Sequence, residues 1–433
     1  MIAVATENKK TVWLGEFPTH WEVLRIKNLF LEMENRSETG SEELLSVSHY
    51  TGVTLKRESL ENEDDHLTNA ESLVGYKLVE KQDLVINIML AWNGSLGISP
   101  FNGITSPAYC VYRIKGENNP EYFGYLFSTA MFKAEFRRNS TGIIDSRLRL
   151  YTDKFFSIFS VGPPKEEQDE IVKHIKTQEE KINQFIQKKK RFIELLKEQR
   201  QTIITNAITK GVYENIETKF SGVEWLGNVP KHWKVVRLKF VGESFIGLTY
   251  SPLDLVDKED GVFVLRSSNI QNGKFATEDN VYVNKEIPEK LILKKGDILL
   301  CSRNGSAELI GKNILIDEET EGNSFGAFMT VFRSELNYYL YYFFNSSIFK
   351  SQTSLFATST INQLTNGILN NLTIAYSENI DEQKRIIEHI KTETATIDTA
   401  IAKAEREIEL IKEYKEAMIS EAVMGKRNIN FEN

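Results

Sequence analysis

Two long segments carry apolar residues at alternating spacings of three and four. The first has Ile171, Ile175, Ile182, Phe185, Phe192, Leu196 and Ile203, and the second has Ile386, Ile390, Ile397, Ala400, Ala404, Ile411, Tyr414 and Met418. Neither proline nor glycine interrupts residues 165–210 or 381–424. This pattern predicts a coiled-coil helix of about five heptads in each segment. Each helix would be about 60 Å long, so another helix must cover its apolar stripe.

The two helices form part of a tandem repeat. Residues 167–208 match residues 382–423 at 18 of 42 positions, and residues 13–27 match residues 225–239 at 9 of 15. The repeat predicts five segments: a first variable domain (1–163), a first long helix (164–212), a second variable domain (213–377), a second long helix (378–428) and a tail (429–433). Fainter echoes, such as Lys81–Leu84 against Lys295–Ile298, connect the variable domains.

Charge favours pairing between the two helices. Residues 165–212 carry 11 basic and 8 acidic groups, whereas residues 378–427 carry 9 basic and 12 acidic groups. Opposite net charges of +3 and −3 therefore favour an internal antiparallel pair with pseudo-two-fold symmetry. Two independent coiled coils, each pairing with another protein, are the alternative. Polar residues interrupt both stripes and could fix the register or contact a partner: Gln178, Lys189, Gln199, Glu393 and Glu407.

Short β-type runs alternate with helical runs in each variable domain. The predicted strands are Val262–Leu265, 297–300, 84–89 and 108–113. The aromatic segment 338–350 is predicted to be a helix. The fold class is therefore α+β, with two globular domains separated by the two paired helices.

Composition narrows the class of protein further. The chain has 433 residues, of which 41% are hydrophobic and 26% charged, with a formal net charge of −8. Its apolar runs are shorter than the ~18 residues of a membrane helix, and no secretory signal is visible in the first eight residues. Two cysteines, Cys110 and Cys301, exclude a disulfide framework and fit a reducing cytoplasm. We therefore expect a cytoplasmic protein without a membrane partner.

Polar loops next to the strands are the candidate contacts to nucleic acid. Arg and Lys can pair with guanine edges or phosphates, and Asn and Gln with adenine edges. The two domains differ at matching loop positions, which suits two readers of different sequences. Ordinary polar surface loops are the alternative for any single residue. The candidates are Ser48, His49, Tyr50, Asn93, Arg137, Arg138, Arg147, Arg149, Arg266, Ser268, Asn269, Lys274, Ser302, Arg303, Asn304, Thr360, Asn362 and Gln363.

No catalytic or metal motif is recognisable in the sequence. The run from Gly305 to Asn313 departs from a phosphate-binding loop in spacing and in its final residue, and residues 119–122 lack the second proline of an amino-methyltransferase loop. The repeated aromatic, histidine and glutamine residues are predicted to hold the repeat frame together or to contact a partner. These are Trp13, His20, Trp21, Gln168, His174, Trp225, His232, Trp233, Gln383 and His389.

The ordered motifs resemble the specificity subunits of bacterial type I restriction–modification systems. They are the Trp-Leu-Gly-x-x-Pro-x-His-Trp blocks at 13–21 and 225–233, the Glu-Gln pairs that open the helices, and the run 295–299. The second Glu-Gln pair lacks the preceding prolines of the first. The resemblance implies two target-recognition domains that each read half of a bipartite, asymmetric site in double-stranded DNA, and helices that act as a spacer.

The same resemblance implies the partners of the chain. Two methyltransferase subunits would bind S-adenosylmethionine and methylate adenine, and restriction endonuclease subunits would use ATP and Mg²⁺, with no cofactor in this chain. A protein-binding coiled-coil scaffold and a complete methyltransferase are the competing interpretations. Divergent loops on a repeated frame disfavour the scaffold, and the missing cofactor and catalytic loops disfavour the methyltransferase.

Overall fold

The computed structural model describes residues 2–4, 11–49, 51–56, 72–144, 147–213, 215–271, 273–354, 363–427 and 429. Its contacts divide the chain into two compact units. Unit 1 comprises Met1–Lys189 with Arg406–Asn433, and unit 2 comprises Lys190–Glu405.

Within its described residues, unit 1 combines short strands with short helices and the first part of a long helix. Its strands are β1 (Ile2–Val4), β2 (Glu16–Pro18), β3 (Glu22–Arg25), β4 (Phe30–Met33), β5 (Leu45–Ser48), β6 (Gly52–Leu55), β7 (Lys77–Val79), β8 (Leu84–Ile86), β9 (Leu96–Ile98), β10 (Gly103–Thr105), β11 (Cys110–Ile114) and β12 (Phe159–Gly162). Its helices are α1 (Ile26–Leu29), α2 (Pro120–Ser128), α3 (Ala130–Asn139), α4 (Thr152–Ser157) and the beginning of α5 (Lys165–Lys210).

An antiparallel sheet in the order β4-β11-β8-β9 organises unit 1. Strand β8 is apolar at every position because both of its faces are covered. Leu84 and Ile86 join an aromatic core with Phe123 and Phe127, whereas Val85 joins a separate apolar cluster on the opposite face. The remaining strand pairs of this unit are the antiparallel pairs β1–β2, β3–β12, β5–β6 and β7–β10.

Unit 2 repeats this mixture of elements. Its strands are β13 (Thr218–Phe220), β14 (Asn228–Pro230), β15 (Lys234–Arg237), β16 (Glu243–Ile246), β17 (Leu255–Val256), β18 (Val262–Leu265), β19 (Ile270–Gln271), β20 (Lys274–Phe275), β21 (Tyr282–Val283), β22 (Ile298–Cys301), β23 (Asn313–Leu315), β24 (Ser324–Phe325), β25 (Met329–Arg333) and β26 (Thr373–Tyr376). Its helices are α6 (Asn337–Phe344), α7 (Ser347–Ser354), α8 (Asn366–Asn371) and the beginning of α9 (Ile380–Val423).

The central sheet of unit 2 has the same connectivity as that of unit 1. Its order is β16-β25-β22-β23, again antiparallel, and β15 pairs with β26 as β3 pairs with β12. A second sheet, β17-β21-β18-β24, contains the parallel pair β18–β24 and is particular to this unit among the described residues. The repeat that is weak in the sequence of the variable domains is therefore preserved in their strand order.

A buried ion pair explains the faint echo between residues 81–84 and 295–298. Arg113 forms a two-pronged contact with Asp83, with both nitrogen–oxygen distances at 2.9 Å. Arg333 contacts Asp297 in the same way, at 2.8 and 2.6 Å. Both aspartates are almost fully buried, so loss of the arginine would leave an unpaired charge in the interior.

The two long helices pair antiparallel within each unit. In unit 1, Glu179 contacts Lys415 at 3.0 Å and Lys189 forms an ion pair with Glu407. In unit 2, Arg200 donates to Asp398 at 2.7 Å. As the residue number rises along α5, that of the partner in α9 falls. The predicted internal antiparallel pair is confirmed, and Lys189 and Glu407, predicted as polar seam positions, contact each other.

The predicted position of the apolar stripe on α5 is partly wrong. Phe185 and Phe192 are 39% and 44% exposed, whereas Ile182 and Ile193 are buried. The stripe therefore runs through Ile182, Ile186, Lys189 and Ile193. The large aromatic side chains suggested a different helical phase, but the buried face follows the smaller isoleucines that allow two helices to approach. On α9, Tyr414 is likewise 44% exposed.

The aromatic segment predicted as one helix over residues 338–350 is two helices. Helix α6 ends at Phe344, and α7 begins at Ser347. The buried Ser346 donates its hydroxyl to the Phe343 carbonyl and accepts from the amide of Phe349, so it terminates one helix and caps the next. In unit 1, Thr129 caps α3 in the same manner. None of the helices in the described part of the chain is long and apolar enough to cross a membrane.

Candidate nucleic-acid interface

A repeated contact connects each aromatic block to the first turn of a long helix. In unit 1, the Glu167 carboxylate on α5 contacts His20 Nε2 at 2.6 Å and accepts from Trp21 Nε1 at 3.0 Å. In unit 2, Glu382 on α9 contacts His232 at 2.8 Å and accepts from Trp233 at 3.0 Å.

Glu382 is the better enclosed of the two carboxylates. Burial alone raises its pKa, but hydrogen bonds from Ser377, Trp233 and His232 outweigh burial and hold the pKa below the usual value for glutamate. The motif residues therefore serve first as the frame that joins each globular region to its helix.

The C-terminal end of the second long helix in each unit also packs against the aromatic block. This helix end is that of α9 in unit 1 and that of α5 in unit 2. Gly211 follows α5 with φ +73°, and a Cβ there would lie 3.4 Å from the Trp233 ring. Gly425 follows α9 with φ +65°, and a Cβ there would lie 2.9 Å from the Trp21 ring. The Tyr122 hydroxyl donates to the Val423 carbonyl at the end of α9. The glutamates and glycines were not among the predicted frame residues, although their repetition at matching positions was a usable signal.

The helix-opening glutamines are structural. Gln168 Oε1 accepts a hydrogen bond from the backbone amide of Asn119 at 2.7 Å, and its Nε2 donates to Pro163 O at 2.8 Å. Gln168 therefore closes the turn before α5. Gln383 donates to Ser377 O at 2.7 Å. Asn379 accepts from the amides of Asp381 and Glu382 and thereby caps α9. This cap replaces the prolines that precede the first helix.

The two repeated histidines on the helices differ in environment. Burial lowers the pKa of His174, and the nearby Arg427 and Lys181 lower it further, so its neutral form is favoured. His174 Nε2 is buried with no hydrogen-bond partner among the described residues. His389 is exposed. The Trp13 ring packs edge-on against Phe132 at 5.0 Å, and Trp225 packs against the core of unit 2.

Matching backbone contacts define the edge of each domain where the candidate loops lie. In unit 1, the Leu150 amide donates to Ile88 O at 2.9 Å, just beyond β8. In unit 2, the Leu364 amide donates to Ser302 O at 2.7 Å, just beyond β22. The adjacent side chains differ: Arg149 precedes Leu150, and Gln363 precedes Leu364. The two units thus present different hydrogen-bonding groups on one backbone arrangement.

Unit 2 has an open cleft of about 1190 Å³ at this edge. Four candidate residues line it together: Arg266, Ser268, Arg303 and Asn304. The guanidinium of Arg303 lies 5.2 Å from the centre of the Phe328 ring, which is 59% exposed. No hydrogen bond to that guanidinium is found within the described residues. Arg303 therefore offers an exposed cation on an aromatic face.

Arg266 and Asn304 are more constrained. The Arg266 Nη2 donates to both the carbonyl and the carboxylate of Asp279 at 2.6 Å, while its Nε is buried without a partner among the described residues. Asn304 donates from Nδ2 to Ser267 Oγ at 3.0 Å and accepts the Ser306 amide. These contacts fix the orientation of both side chains in the cleft.

The side chains of two candidates are buried and form hydrogen bonds within the loops. Asn269 is fully buried and donates to Ala276 O, Glu278 O and Asn280 Oδ1. Ser302 is buried and donates to Phe328 O at 3.0 Å. Lys274 is exposed on a short hairpin, and Gln363 is exposed and bridges to the Arg303 backbone. Thr360 and Asn362 lie outside the described residues.

The candidates of unit 1 are mostly exposed. The Arg137 guanidinium lies 5.4 Å from the centre of the Trp92 ring, and Arg138 pairs with Glu135 at 2.6 Å. Arg147 and His49 are exposed, and Ser48, Asn93 and Arg149 are half-buried. Asn93 accepts a hydrogen bond from Ser95 at 3.2 Å. Tyr50 lies outside the described residues. A cluster of three or more residues able to hold a metal ion is absent from the part of the chain that the structure describes.

Comparison with known proteins supplies the class of this fold. Residues 230–410 match the family model described as the type I restriction modification DNA specificity domain. The type I restriction enzyme EcoKI specificity subunit of Escherichia coli (strain K12) is 30% identical over 214 residues, or 48% of this chain and 46% of that protein. The StySPI specificity subunit of Salmonella potsdam is 30% identical over 206 residues, or 46% of this chain and 44% of that protein.

A solved structure shares the fold over nearly the whole chain. It comes from work on the complex assembly and conformational transition of the type I R-M system, with a TM-score of 0.66, 14% identity, and coverage of 95% of this chain and 99% of that chain. By sequence, the alignments span less than half the length of the curated relatives. The match of residues 230–410 to the type I restriction modification DNA specificity domain agrees with the resemblance drawn from the motifs.

Proposed function

We propose that this chain is the DNA-specificity subunit of a type I restriction–modification complex. Each globular region reads one half of a bipartite, asymmetric target in double-stranded DNA. The chain catalyses no step itself and works in the cytoplasm. The observation that carries this proposal is the pair of matching edges, on which one backbone arrangement presents different side chains. Two readers of unlike half-sites require this combination.

The chemistry of the edges suits contact with DNA. Arg303 and Gln363 lie together in unit 2, and such side chains recognise guanine and adenine edges, respectively. Arg137 and Arg147 are exposed in unit 1 and can reach phosphates or guanine. The remaining candidates in the set are Ser48, His49, Tyr50, Asn93, Arg138, Arg149, Arg266, Ser268, Lys274, Asn304, Thr360 and Asn362, whereas Asn269 and Ser302 act by holding the loops.

The paired helices have a proposed role in spacing and assembly. Their length sets the gap between the two half-sites, which must match the helical repeat of DNA, about 34 Å per turn. Two methyltransferase subunits dock on the frame and methylate adenine with S-adenosylmethionine. Restriction endonuclease subunits, which use ATP and Mg²⁺, join them. The net charge of −8 is compatible with this assembly because partner subunits supply further phosphate contacts.

Base-modification mapping of the source genome, with and without this gene, tests the proposal. The expected result is loss of one bipartite, asymmetric methyladenine motif on deletion and its return on complementation. A silent system is distinguished by expressing the gene together with its methyltransferase partner in a host that lacks such a motif. A modification pattern that stays unchanged both in the deletion strain and in the expression host would contradict the proposal. It would favour a scaffold that binds only proteins.

A further inference from the structure

A loop in unit 1 exposes an apolar tip. The backbones of Thr141 and Arg149 pair through two hydrogen bonds of 2.9 Å and close the base of this loop. Within it, Ile143 is 99% exposed and Ile144 is 54% exposed. A nearly fully exposed isoleucine contributes nothing to the core of its own unit, so its apolar surface is available to a ligand.

The described ends of the loop are firmly attached to the domain. The Arg147 amide donates to Ile144 O at 2.8 Å. A Cβ at Gly142 would lie 2.5 Å from Arg147 O, so only glycine permits this close approach. Leu148 and Leu150 are buried next to the tip. The loop base is thus held by backbone contacts, while the side chain of Ile143 is exposed to solvent.

Arginines outnumber acidic residues along the chain around this tip, although Asp145 directly follows Ile144. Arg137 and Arg138 end α3 on one side, and Arg147 and Arg149 follow on the other. Leu253 in unit 2 is also 95% exposed, but the acidic residues Asp254, Asp257, Glu259 and Asp260 follow it closely. Electrostatic attraction to phosphates therefore favours a DNA contact at Ile143 and disfavours one at Leu253.

We propose that Ile143 is an apolar wedge that inserts between adjacent base pairs of the half-site read by unit 1. Aliphatic side chains that enter the base stack unstack one step and kink the duplex, and flanking arginines hold the phosphates on each side. This inference rests on the proposed function. It adds that recognition by unit 1 includes deformation of the DNA, so that flexible steps are preferred at a position without hydrogen-bonded readout.

The test uses the purified complex of this chain with its methyltransferase subunits. Duplexes carry the mapped motif, with 2-aminopurine placed in turn at each step of one half-site, and the binding affinity and fluorescence are measured together. With the unsubstituted protein, fluorescence should rise several-fold at one step away from the methylated adenine, the wedge step, because that base loses its stacking. A rise at the methylated adenine itself reports extrusion of that base by the methyltransferase. Ile143→Ala should abolish the rise at the wedge step and weaken binding about five- to tenfold. Ile143→Met should retain both, and so should Leu31→Ala, which removes a 54% exposed aliphatic side chain on β4.

Each contrary outcome is distinguishable. Specific binding with no fluorescence rise at any step other than the methylated adenine would overturn the wedge and leave the proposed function standing. An Ile143→Ala complex that unstacks the wedge step normally would have the same meaning. If Ile143→Ala binds DNA normally but loses a copurifying subunit, the tip is a protein contact and the wedge is wrong. If the unsubstituted complex does not prefer the motif to a scrambled duplex, the proposed function fails, and the wedge fails with it.

Discussion

Trp233 donates its indole N–H to the carboxylate of Glu382 at 3.0 Å, across 149 residues of sequence. The same carboxylate contacts His232, and the pair Trp21–Glu167 repeats the arrangement in the other unit. One glutamate at the start of each long helix thus fixes both polar members of an aromatic block. A charge-assisted hydrogen bond to a largely enclosed carboxylate is stronger than one between neutral groups, so this contact stabilises the frame.

Glu382→Gln should destabilise unit 2. Glutamine keeps the size of the side chain but loses the charge and one of the two acceptor oxygens that Trp233 and His232 use. A buried donor left without its acceptor costs about 1–3 kcal/mol, which denaturant unfolding can measure. Glu388→Gln, on the exposed surface of the same helix, is the matched control and should change the unfolding free energy by less than about 0.5 kcal/mol. Equal effects of the two substitutions would show that the contact does not stabilise the frame.

The stabilisation from Glu382 should depend on pH. The hydrogen bonds lower its pKa in the folded protein despite burial, so its stabilising contribution is complete above the ordinary value of 4.5. As the pH falls below that value, the unfolded chain takes up a proton before the folded one does, and the contribution declines. Unfolding free energies of the unsubstituted protein and of Glu382→Gln should therefore converge on acidification. Parallel curves across this range would contradict the lowered pKa.

The corrected helical phase of α5 makes neighbouring residues unequal. Ile193→Ala removes a buried side chain from the seam, whereas Phe192→Ala removes a larger side chain that is 44% exposed. Because a large-to-small change costs most where the side chain is enclosed, we expect a loss of about 2 kcal/mol for Ile193→Ala and less than about 1 kcal/mol for Phe192→Ala. Thermal or denaturant unfolding measures both. A larger loss for Phe192→Ala than for Ile193→Ala would instead support the helical phase predicted from the sequence.

The sequence predicted the features that depend on patterns extending over many residues. It was less informative where several similar residues could occupy the same buried position. Helix length, antiparallel pairing and the polar seam positions Lys189 and Glu407 follow from a charge pattern and a 3–4 spacing that span many residues, whereas the contact between these two residues is known only from the structure. The phase at Phe192 was missed because a hydrophobic side chain fits either of two adjacent stripes until the partner helix is known. The break at Ser346 was missed because aromatic residues continue on both sides of it.

The candidate DNA interface was likewise predictable only in part. A polar residue in a loop can face solvent or hold the loop, and the sequence does not distinguish the two roles. Arg303 lies exposed in the cleft. Asn269, only a few residues beyond Arg266, is instead buried and donates to three oxygens of the nearby segment 276–280. The frame glutamates Glu167 and Glu382 were available from the repeat, since each occupies the same position before a matched Gln.

The proposed spacing role predicts a measurable change in the DNA target. Insertion of one heptad after Lys188 in α5 and another after Glu407 in α9 keeps the antiparallel register, because Lys189 pairs with Glu407. Seven residues add about 10 Å of helix, equivalent to about three base pairs. Modification mapping should then report a longer gap between unchanged half-sites. An unchanged gap would refute the spacing role, and insertion into α5 alone is the control that should instead disrupt helix pairing.

Each unit is proposed to read its own half of the target. Mapping of methylated motifs in strains that carry a substitution in one unit at a time tests this separation. Arg303→Ala should relax or change one half-site and leave the other intact, whereas Arg147→Ala should affect the opposite half. Leu31→Ala should leave both halves unchanged. If Arg303→Ala and Arg147→Ala weaken the same half, or weaken both halves equally, the two units do not read separate halves of the DNA target.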